Sequence, residues 1–410
     1  MNTENTVSCR ICKSNNVKRI FDFGRQPIAH RFLIKPSGKE YTHPLTVSVC
    51  ENCSFTFIDD PIPPELLYQE YFCLSSWKNH PHIPRILDLI SQLDDVNKDS
   101  RIIEIGSNDG SFLKELYGRG YHRLTGVEPS QDSFEQAQKN SYLKTFNSYF
   151  NKKTAEEIVS KRGRFDLLIA RHVLEHIFDL EGFGESIRLA VRPGGYVFIE
   201  VPNFEMSITN SDYSAVWEEE PNCFTLVNIE RYLGAHGIRI LHSEVATFSG
   251  EALMILGKME GVEIEAERNE KEVLVLDKIH KYADAFVSFR DEFAHYLSAF
   301  VEEGKRLAFY GAGCRANSII NFLNLEPYIV CMVDDQEEKQ GKYMPGSHLP
   351  VRSSEALVNE AIDIAFLSVN AENDKKVENR QTEFIKNGGK FVSVLPPSRN
   401  LPPFWNDYCL

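Results

Sequence analysis

The feature that most constrains this chain is a glycine-rich turn placed between two apolar stretches. The segment Ile103–Ile105 leads directly into Gly106-Ser107-Asn108-Asp109-Gly110, and Glu128 follows eighteen residues after Gly110. Glycines let a backbone turn sharply from a strand into a helix, and they let a ligand come close. A carboxylate at the end of the next apolar stretch can accept hydrogen bonds from a ribose diol. The pattern therefore predicts a nucleoside pocket in an α/β fold.

The polar residues of this turn indicate which nucleoside it favours. Asn108 stands where a dinucleotide-binding turn has a glycine, and Asp109 adds a negative charge that would repel a pyrophosphate. A sulfonium or an ammonium group would instead be attracted, so we predict a pocket for S-adenosylmethionine (SAM) rather than for NAD. Glu104 is expected beneath the turn, within reach of the ligand's ammonium group through a water molecule. The predicted cofactor-binding residues of this segment are Glu104, Gly106, Ser107, Asn108, Asp109, Gly110 and Glu128.

Composition excludes several other functions. The chain has 410 residues, which favours two or three domains, and its formal net charge of −14 argues against sequence-independent binding of nucleic acid. It contains no apolar run of eighteen residues, and its amino terminus lacks the pattern of a signal peptide. We therefore expect a cytoplasmic protein without a membrane span, whose nine cysteines are reduced thiols or metal ligands.

Two CxxC pairs stand near the amino terminus. Cys9 with Cys12, and Cys50 with Cys53, can each present two thiolates from a tight turn, and two such turns form a tetrahedral Zn²⁺ site. Four thiolates leave no open position on the metal, so the predicted role is structural. The remaining cysteines are scattered and are expected to be ordinary thiols; they are Cys73, Cys223, Cys314, Cys331 and Cys409.

The order of apolar and helical patterns predicts the domain organisation. Residues 1–60 form the zinc-binding domain, residues 61–98 a helical connection, residues 99–257 a SAM-binding domain and residues 258–410 a smaller α/β domain. In the third segment strand and helix patterns alternate, which is typical of a parallel, doubly wound sheet. The stretch 260–303 is predicted to be helical. The last segment has its own glycine turn, Gly311-Ala312-Gly313, with Asp334 about twenty residues on. This turn is compatible with NAD, with a sugar nucleotide or with a purely structural role.

Two further stretches carry candidate catalytic groups. The strand at 165–170 is expected to run into a helix that begins near Arg171 and His172, so both side chains should border the cofactor. His176, one helical turn later, could face the same cleft. Glu218, Glu219 and Glu220 follow Trp217, and like charges in a cleft raise at least one pKa, which favours a base that works near neutral pH.

With these residues in view, the chain resembles the SAM-dependent C-methyltransferases that act on nucleotide-linked deoxysugars. The resemblance covers nearly the whole chain and includes both Cys pairs, the first glycine turn and the second glycine turn. Its further motifs are Gln26–Phe32, Glu70-Tyr71 with Ser75-Ser76, Val173–His176, Val333–Asp335 and Gln340–Gly346.

This resemblance implies a Rossmann-like class I methyltransferase domain between a zinc-binding domain and a C-terminal α/β domain that binds the substrate. It also implies a nucleotide-linked 4-keto-6-deoxysugar as acceptor, in which a base removes the proton next to the keto group and the resulting enolate carbon attacks the methyl group of SAM. The resemblance matches Glu219 to a family glutamate and retains His176, and Tyr71 would help to close the pocket.

The chain departs from this family at the catalytic centre. Glu220 stands where the family has its basic histidine, Trp217 replaces a tyrosine, and Cys223 and Cys73 replace aromatic residues. Glu220 could act as the base, since a carboxylate can remove a proton next to a carbonyl. Alternatively, the pocket serves O- or N-methylation with His176 as base, or the protein binds SAM or a sugar nucleotide without turnover. An NAD oxidoreductase that uses the second glycine turn is a further alternative. The acceptor atom and the oligomeric state stay open.

Overall fold

The computed structural model describes residues 7–36, 39–67, 81–264 and 270–410. The strands in these ranges are β1 (Val17–Pro27), β2 (Thr42–Cys50), β3 (Thr56–Ile58), β4 (Arg101–Ile105), β5 (Arg123–Val127), β6 (Lys144–Phe146), β7 (Phe165–Arg171), β8 (Val191–Pro202), β9 (Asn222–Cys223), β10 (Ile238–Ala246), β11 (Ala252–Met259), β12 (Leu307–Tyr310), β13 (Cys331–Val333), β14 (Val351–Arg352), β15 (Ile364–Leu367) and β16 (Lys390–Ser393).

The α-helices of the described ranges are α1 (Pro64–Leu67), α2 (Ile83–Ser91), α3 (Ser111–Gly118), α4 (Gln131–Ala137), α5 (Lys152–Arg162), α6 (Leu180–Ala190), α7 (Phe204–Thr209), α8 (Leu226–Ala235), α9 (Glu270–Glu302), α10 (Cys314–Phe322), α11 (Ala356–Asn359), α12 (Asp374–Arg380) and α13 (Thr382–Lys386). Short 3₁₀ turns lie at Leu174–His176, Tyr213–Ala215, Glu326–Tyr328, Ala371–Asn373 and Pro403–Tyr408.

The central sheet has seven strands in the order β10-β11-β8-β7-β4-β5-β6. Strands β4 to β8 run parallel, whereas β11 runs antiparallel to both β8 and β10. Alternate residues of its strands enter two separate cores, because successive side chains of a strand point to opposite faces. Ile102 and Leu167 enter one core, and Ile103 and Leu168 enter the other. The sheet is thus covered on both faces, which confirms the predicted doubly wound α/β fold.

Two smaller sheets flank the central one in sequence. The first is antiparallel with the order β1-β2-β3-β9, so a strand from the middle of the chain completes the amino-terminal sheet. The other is fully parallel with the order β14-β13-β12-β15-β16. Strand β9 pairs with β3 of the first sheet although it lies between β8 and β10 in sequence, so the chain passes between these units more than once. Strand β11 of the central sheet extends to Met259.

The structure differs from two of the expectations drawn from the sequence. The helix predicted over 260–303 begins only at Glu270, and residues 260–264 are not helical. The strand at 165–171 also does not run directly into a helix, because His172 has a positive φ of 50° and only a 3₁₀ turn follows before α6 begins at Leu180. His172 and His176 are therefore not placed by helical periodicity.

The long helix α9 contributes to a hydrophobic core that several parts of the molecule share. Phe289 of this helix is fully buried and contacts Tyr213, Phe293, Phe404, Trp405 and Tyr408 through its ring. One continuous apolar cluster joins α9 to β1, to the 204–216 segment and to the third sheet. No helix in the described ranges is long and apolar enough to cross a membrane.

Truncating this core should destabilise the protein strongly. Phe289→Ala is expected to cost about 3–5 kcal/mol in the free energy of unfolding, because it leaves a cavity among aromatic rings. Val287→Ala is the matched control, since Val287 lies on the same helix and is 54% exposed, and it should change stability by less than about 0.5 kcal/mol. Denaturant unfolding of both variants measures the difference, and equal costs would contradict this account of α9.

Candidate active site and metal centre

The first glycine turn is fixed by backbone hydrogen bonds to the next strand. The amides of Gly106 and Ser107 both donate to the carbonyl of Val127, at 2.8 and 3.1 Å. Gly106 has a φ of +66°, and a Cβ atom there would lie 2.6 Å from a methyl group of Val173, so the position requires glycine. Asn108 and Gly110 also have positive φ angles. The turn thus follows β4, precedes α3 and keeps the close backbone that the sequence predicts.

Glu128 connects this turn to the loop after β5. Its Oε2 accepts a hydrogen bond from the amide of Asn108 at 2.9 Å, and its Oε1 accepts one from the amide of Ser130 at 2.8 Å. The carboxyl group is buried, and this burial raises its pKa, while the two amides lower it. Each carboxylate oxygen can accept more than one hydrogen bond, so the group can hold the turn and still accept from a ligand.

The other acidic residues near the turn are placed differently. Asp109 accepts hydrogen bonds from the amide and the hydroxyl of Ser111, at 3.0 and 2.5 Å, so it caps α3. Glu104 is buried beneath the turn, and this burial raises its pKa to about 8 although Arg171 opposes the shift. Two buried atoms, Glu104 Oε2 and Ser107 Oγ, have no hydrogen-bond partner among the described residues.

Arg171 and His172 meet at a buried carboxylate that sequence reasoning missed. Glu200 of β8 is fully buried, and its Oε2 accepts from Arg171 Nε at 2.9 Å. Its Oε1 pairs with His82 Nε2 and lies 3.4 Å from His172 Nε2. Burial lowers the pKa of His172, but Glu175 and Glu200 outweigh it and raise that pKa to about 10. The sequence signal for Glu200 is a lone acid inside the apolar run 195–201.

A second cluster joins the two predicted catalytic residues His176 and Glu220. Metal- or proton-binding atoms of Glu175, His176 and Glu220 lie within 4.8 Å of one another. His176 Nδ1 donates to the carbonyl of Glu219 at 2.6 Å, which leaves Nε2 for another partner. Burial raises the pKa of Glu220 to about 7, with His176 opposing and Glu175 adding to the shift. Burial lowers the pKa of His176, yet the charges of Glu175 and Glu220 raise it overall.

Glu218 and Glu219 face away from this pair, towards the segment after β1. Glu219 pairs with His30, and both side chains are only 1% exposed. Glu218 accepts from the amide of Ala29 at 2.5 Å, and burial raises its pKa to about 7. Of the three successive acids, only Glu220 lies with His176. Tyr71, the fourth predicted catalytic residue, lies outside the described residues, as does Cys73.

The four paired cysteines converge in the amino-terminal domain. Cys9 Sγ lies 3.6 Å from Cys53 Sγ, and Cys12 Sγ lies 3.5 Å from Cys50 Sγ. All four sulfur atoms lie within 4.8 Å of one another. Sulfur atoms that surround Zn²⁺ as a tetrahedron are about 3.8 Å apart, given Zn–S bonds of about 2.3 Å. The donor set and its spacing therefore fit a structural zinc ion.

The second glycine turn has a hydrogen-bond pattern similar to that of the first. The amide of Gly311 donates to the carbonyl of Val333 at 2.7 Å, and Asp334 accepts from the amides of Ala312 and Gln336 at 2.8 and 2.9 Å. The turns differ in two respects: the amide of Ala312 donates to Asp334 whereas that of Ser107 donates to the carbonyl of Val127, and Lys339 Nζ lies 3.1 Å from Asp334 Oδ2. Asp334 thus has a cationic partner within the chain itself.

Family models match three successive parts of the chain. They describe a zinc binding domain over residues 9–68, a methyltransferase domain over residues 78–243 and a C-methyltransferase C-terminal domain over residues 259–396. The chain therefore belongs to the SAM-dependent methyltransferases that combine these three domains.

Among individual proteins, the chain is similar to the C-methyltransferase NovU of Streptomyces niveus. The two are 24% identical over 405 residues, which span 95% of this chain and 96% of NovU. A ubiquinone biosynthesis O-methyltransferase of Methylobacterium sp. (strain 4-46) is 30% identical over 121 residues, which span 28% of this chain and about half (48%) of that protein. A solved SAM-dependent methyltransferase from Anabaena variabilis is 18% identical and covers 46% of this chain and 90% of its own, with a TM-score of 0.38.

The described residues fit both groups that this family implies. For SAM, Glu104 Oε2 and Ser107 Oγ are buried atoms at the turn that have no hydrogen-bond partner among the described residues. The carboxylate of Glu128 can accept from a ribose diol, and Arg171 and His172 lie at the end of the neighbouring strand. For zinc, the four thiols supply a closed coordination shell.

The zinc site gives a direct chemical prediction. The purified protein should contain one zinc ion per chain, and Cys53→Ser should lose it because three thiolates bind the ion far more weakly than four. Cys409→Ser is the control, since Cys409 is exposed and distant in sequence from the pairs, and it should keep the full zinc content. Elemental analysis by mass spectrometry measures both, and full zinc in the Cys53 variant would contradict the site.

Proposed function

We propose that this protein methylates a carbon atom of a nucleotide-linked keto-deoxysugar, next to the keto group. The observation that carries this proposal is the partly buried pair of Glu220 and His176, whose functional atoms lie within 4.8 Å of each other, with His176 five residues beyond the carboxyl end of β7. A carboxylate whose pKa is raised by burial to about 7, beside an imidazole whose pKa is raised by neighbouring carboxylates, suits removal of a proton from a carbon next to a carbonyl. The full-length similarity to a C-methyltransferase supports the same reaction.

The two residues have different roles in this proposal. Glu220 accepts the proton from the substrate carbon, and the electron pair of that C–H bond moves towards the keto oxygen. His176 carries its Nδ1 proton to the carbonyl of Glu219, so Nε2–H of the cationic ring donates to the enolate oxygen. Glu175 supports the positive charge of the ring. When bound, SAM supplies a methyl group on a positively charged sulfur, which the enolate carbon can attack.

The acceptor is proposed to lie between the central sheet and the third sheet. The segment after β10 connects them: the ring of Phe248 lies 5.2 Å from that of His172, and the next residue, Ser249, accepts from Arg315 of α10 at 3.4 Å. Arg315 follows the second glycine turn by two residues. The start of α10 in the C-terminal unit thus contacts the segment that borders His172, which supports binding of the substrate's nucleotide by that unit.

Glu128 should govern cofactor affinity. Glu128→Gln is expected to weaken binding of SAM by about tenfold to a hundredfold, because a hydrogen bond to a charged acceptor contributes about 1.5–3 kcal/mol. The control Glu115→Gln changes an exposed residue of α3, and it should bind SAM normally. Isothermal titration calorimetry measures both, with unfolding curves to show that each variant is folded. Unchanged affinity in the Glu128 variant would remove this residue from the cofactor site.

Glu220 should be needed for proton removal but not for cofactor binding. Glu220→Gln is expected to lower turnover by about 10²- to 10⁴-fold, the usual contribution of a general base, while SAM affinity stays unchanged. Incubation of the natural protein with a keto-sugar nucleotide in deuterated water should introduce deuterium at the acceptor carbon, and the variant should not do so. Methyl transfer without any such exchange would instead favour O- or N-methylation with His176 as the base.

Turnover should rise with pH through the pKa of Glu220. Only the deprotonated carboxylate can accept a proton, so kcat is expected to fall below a pH of about 7; because His176 acts in its protonated form, kcat should also fall once the pH exceeds the raised pKa of that ring. A pH profile between about pH 6 and about pH 8 measures this limb. Activity that stays constant over this range would show that Glu220 does not act as the base.

A further inference from the structure

A cleft lies at the edge of the central sheet opposite the cofactor turn. Arg101 begins β4, Arg123 begins β5 and Phe165 begins β7, whereas the cofactor turn follows the far end of β4. The cleft has a volume of about 230 Å³. Its lining consists of Arg101, Arg123, Thr125, Lys161, Arg162 and Phe165.

The charge of this lining is unusual for the chain. Four of its six residues are cationic and none is acidic, although the chain as a whole has a formal net charge of −14. The side chains of Arg123 and Arg162 make no hydrogen bond or ion pair within the described part of the chain. Lys161 pairs with Glu157 at 2.6 Å, and Arg101 Nη1 donates to the carbonyl of Arg164 at 3.4 Å.

The nearest carboxylates do not neutralise the cleft. Asp166 accepts from the backbone amide of Arg101 at 2.7 Å and from Arg192 Nε at 2.5 Å, so Arg192, which is not part of the lining, pairs with it. Glu157 is half exposed and engages Lys161 alone. Like charges repel, and a cluster of cations with fewer counterions than charges attracts an anion from solution.

A buried hydroxyl gives independent evidence of a ligand. Thr125 lines the cleft and is only 1% exposed, yet its Oγ1 has no hydrogen-bond partner among the described residues. A buried hydroxyl without a partner costs free energy, so such atoms are rare unless something outside the protein satisfies them. The lining of the cleft thus contains a buried hydroxyl without a hydrogen-bond partner among the described residues, together with four cationic side chains.

We propose that this cleft binds a small anion that carries a phosphate group. Guanidinium groups match the oxygen atoms of a phosphate in charge and in geometry, and the hydroxyl of Thr125 can donate to a further oxygen. The site is separate from the cofactor and acceptor sites, because the five residues of β4 place about 16 Å of strand between the two edges of the sheet. A phosphate-bearing metabolite could therefore bind while both substrates are present.

Calorimetric titration with inorganic phosphate at low ionic strength tests this site. The protein is first saturated with S-adenosylhomocysteine, so that the cofactor site is filled and the two proposals are measured separately. We expect one saturable phosphate site per chain. The double variant Arg123→Gln/Arg162→Gln should bind phosphate at least about tenfold more weakly, because each arginine contributes a charge-assisted hydrogen bond. Lys153→Gln, at the opposite end of α5, is the control and should bind normally.

Thr125→Val distinguishes a ligand from a purely structural cluster. Valine keeps the shape of threonine and removes the unpartnered hydroxyl, so the protein without phosphate should be at least as stable as the natural chain. Its phosphate affinity should nevertheless fall several-fold. Binding that does not saturate, or that is unchanged in both the double arginine variant and the Thr125 variant, would overturn the proposal. A phosphorylated nucleoside that competes with phosphate would identify the metabolite class, and inorganic phosphate alone would remain the ligand if none competes.

Discussion

The structure of the site depends on the carboxylate of Glu128. This side chain accepts backbone amides from the turn after β4 and from the loop after β5, so two neighbouring loops of a parallel sheet are held at a fixed distance. Since loops at the carboxyl ends of parallel strands form the ligand crevice in such folds, this bond positions the crevice itself. Glycine at position 106 then lets the backbone pass close to the side chain of Val173, where a Cβ atom would clash.

Buried charge organises the rest of the site in the same way. Glu200 lies near the carboxyl end of β8, where its buried carboxylate contacts Arg171, His172 and His82. Isolated buried charges are very costly, so these groups fix one another's positions. The Glu175–His176–Glu220 cluster lies next to this network, because His172 also contacts Glu175 at 3.1 Å. The residues expected to border the cofactor, Arg171 and His172, and the proposed catalytic pair thus belong to one continuous network of polar side chains.

Local patterns predicted the fold well, and long-range partners decided where prediction failed. The strand at Arg101–Ile105, the four-cysteine cluster and the two glycine turns follow from residues close together in sequence. Glu200 and His82 were missed because they lie 118 residues apart and neither belongs to a short motif. Periodicity also placed His172 in a helix, whereas its contacts with Glu175 and Glu200 hold it at a positive φ.

The run of three acids shows the same limit at the catalytic centre. Sequence alone treats Glu218, Glu219 and Glu220 as equivalent. In the structure Glu218 accepts a hydrogen bond from the amide of Ala29, and Glu219 pairs with His30. Of the three carboxylates, only that of Glu220 lies close to the ring of His176. The second glycine turn has a similar pattern of amide-to-carboxylate hydrogen bonds, but the amide of Ala312 donates to Asp334 and Lys339 pairs with that carboxylate.

The central claim is that the first turn, rather than the second, binds the cofactor. A crystal structure with S-adenosylhomocysteine tests this most directly. The account predicts ribose hydroxyls within hydrogen-bond distance of Glu128, with the ligand above Gly106. A ligand seated at Asp334, or one that makes no contact with Glu128, would contradict it.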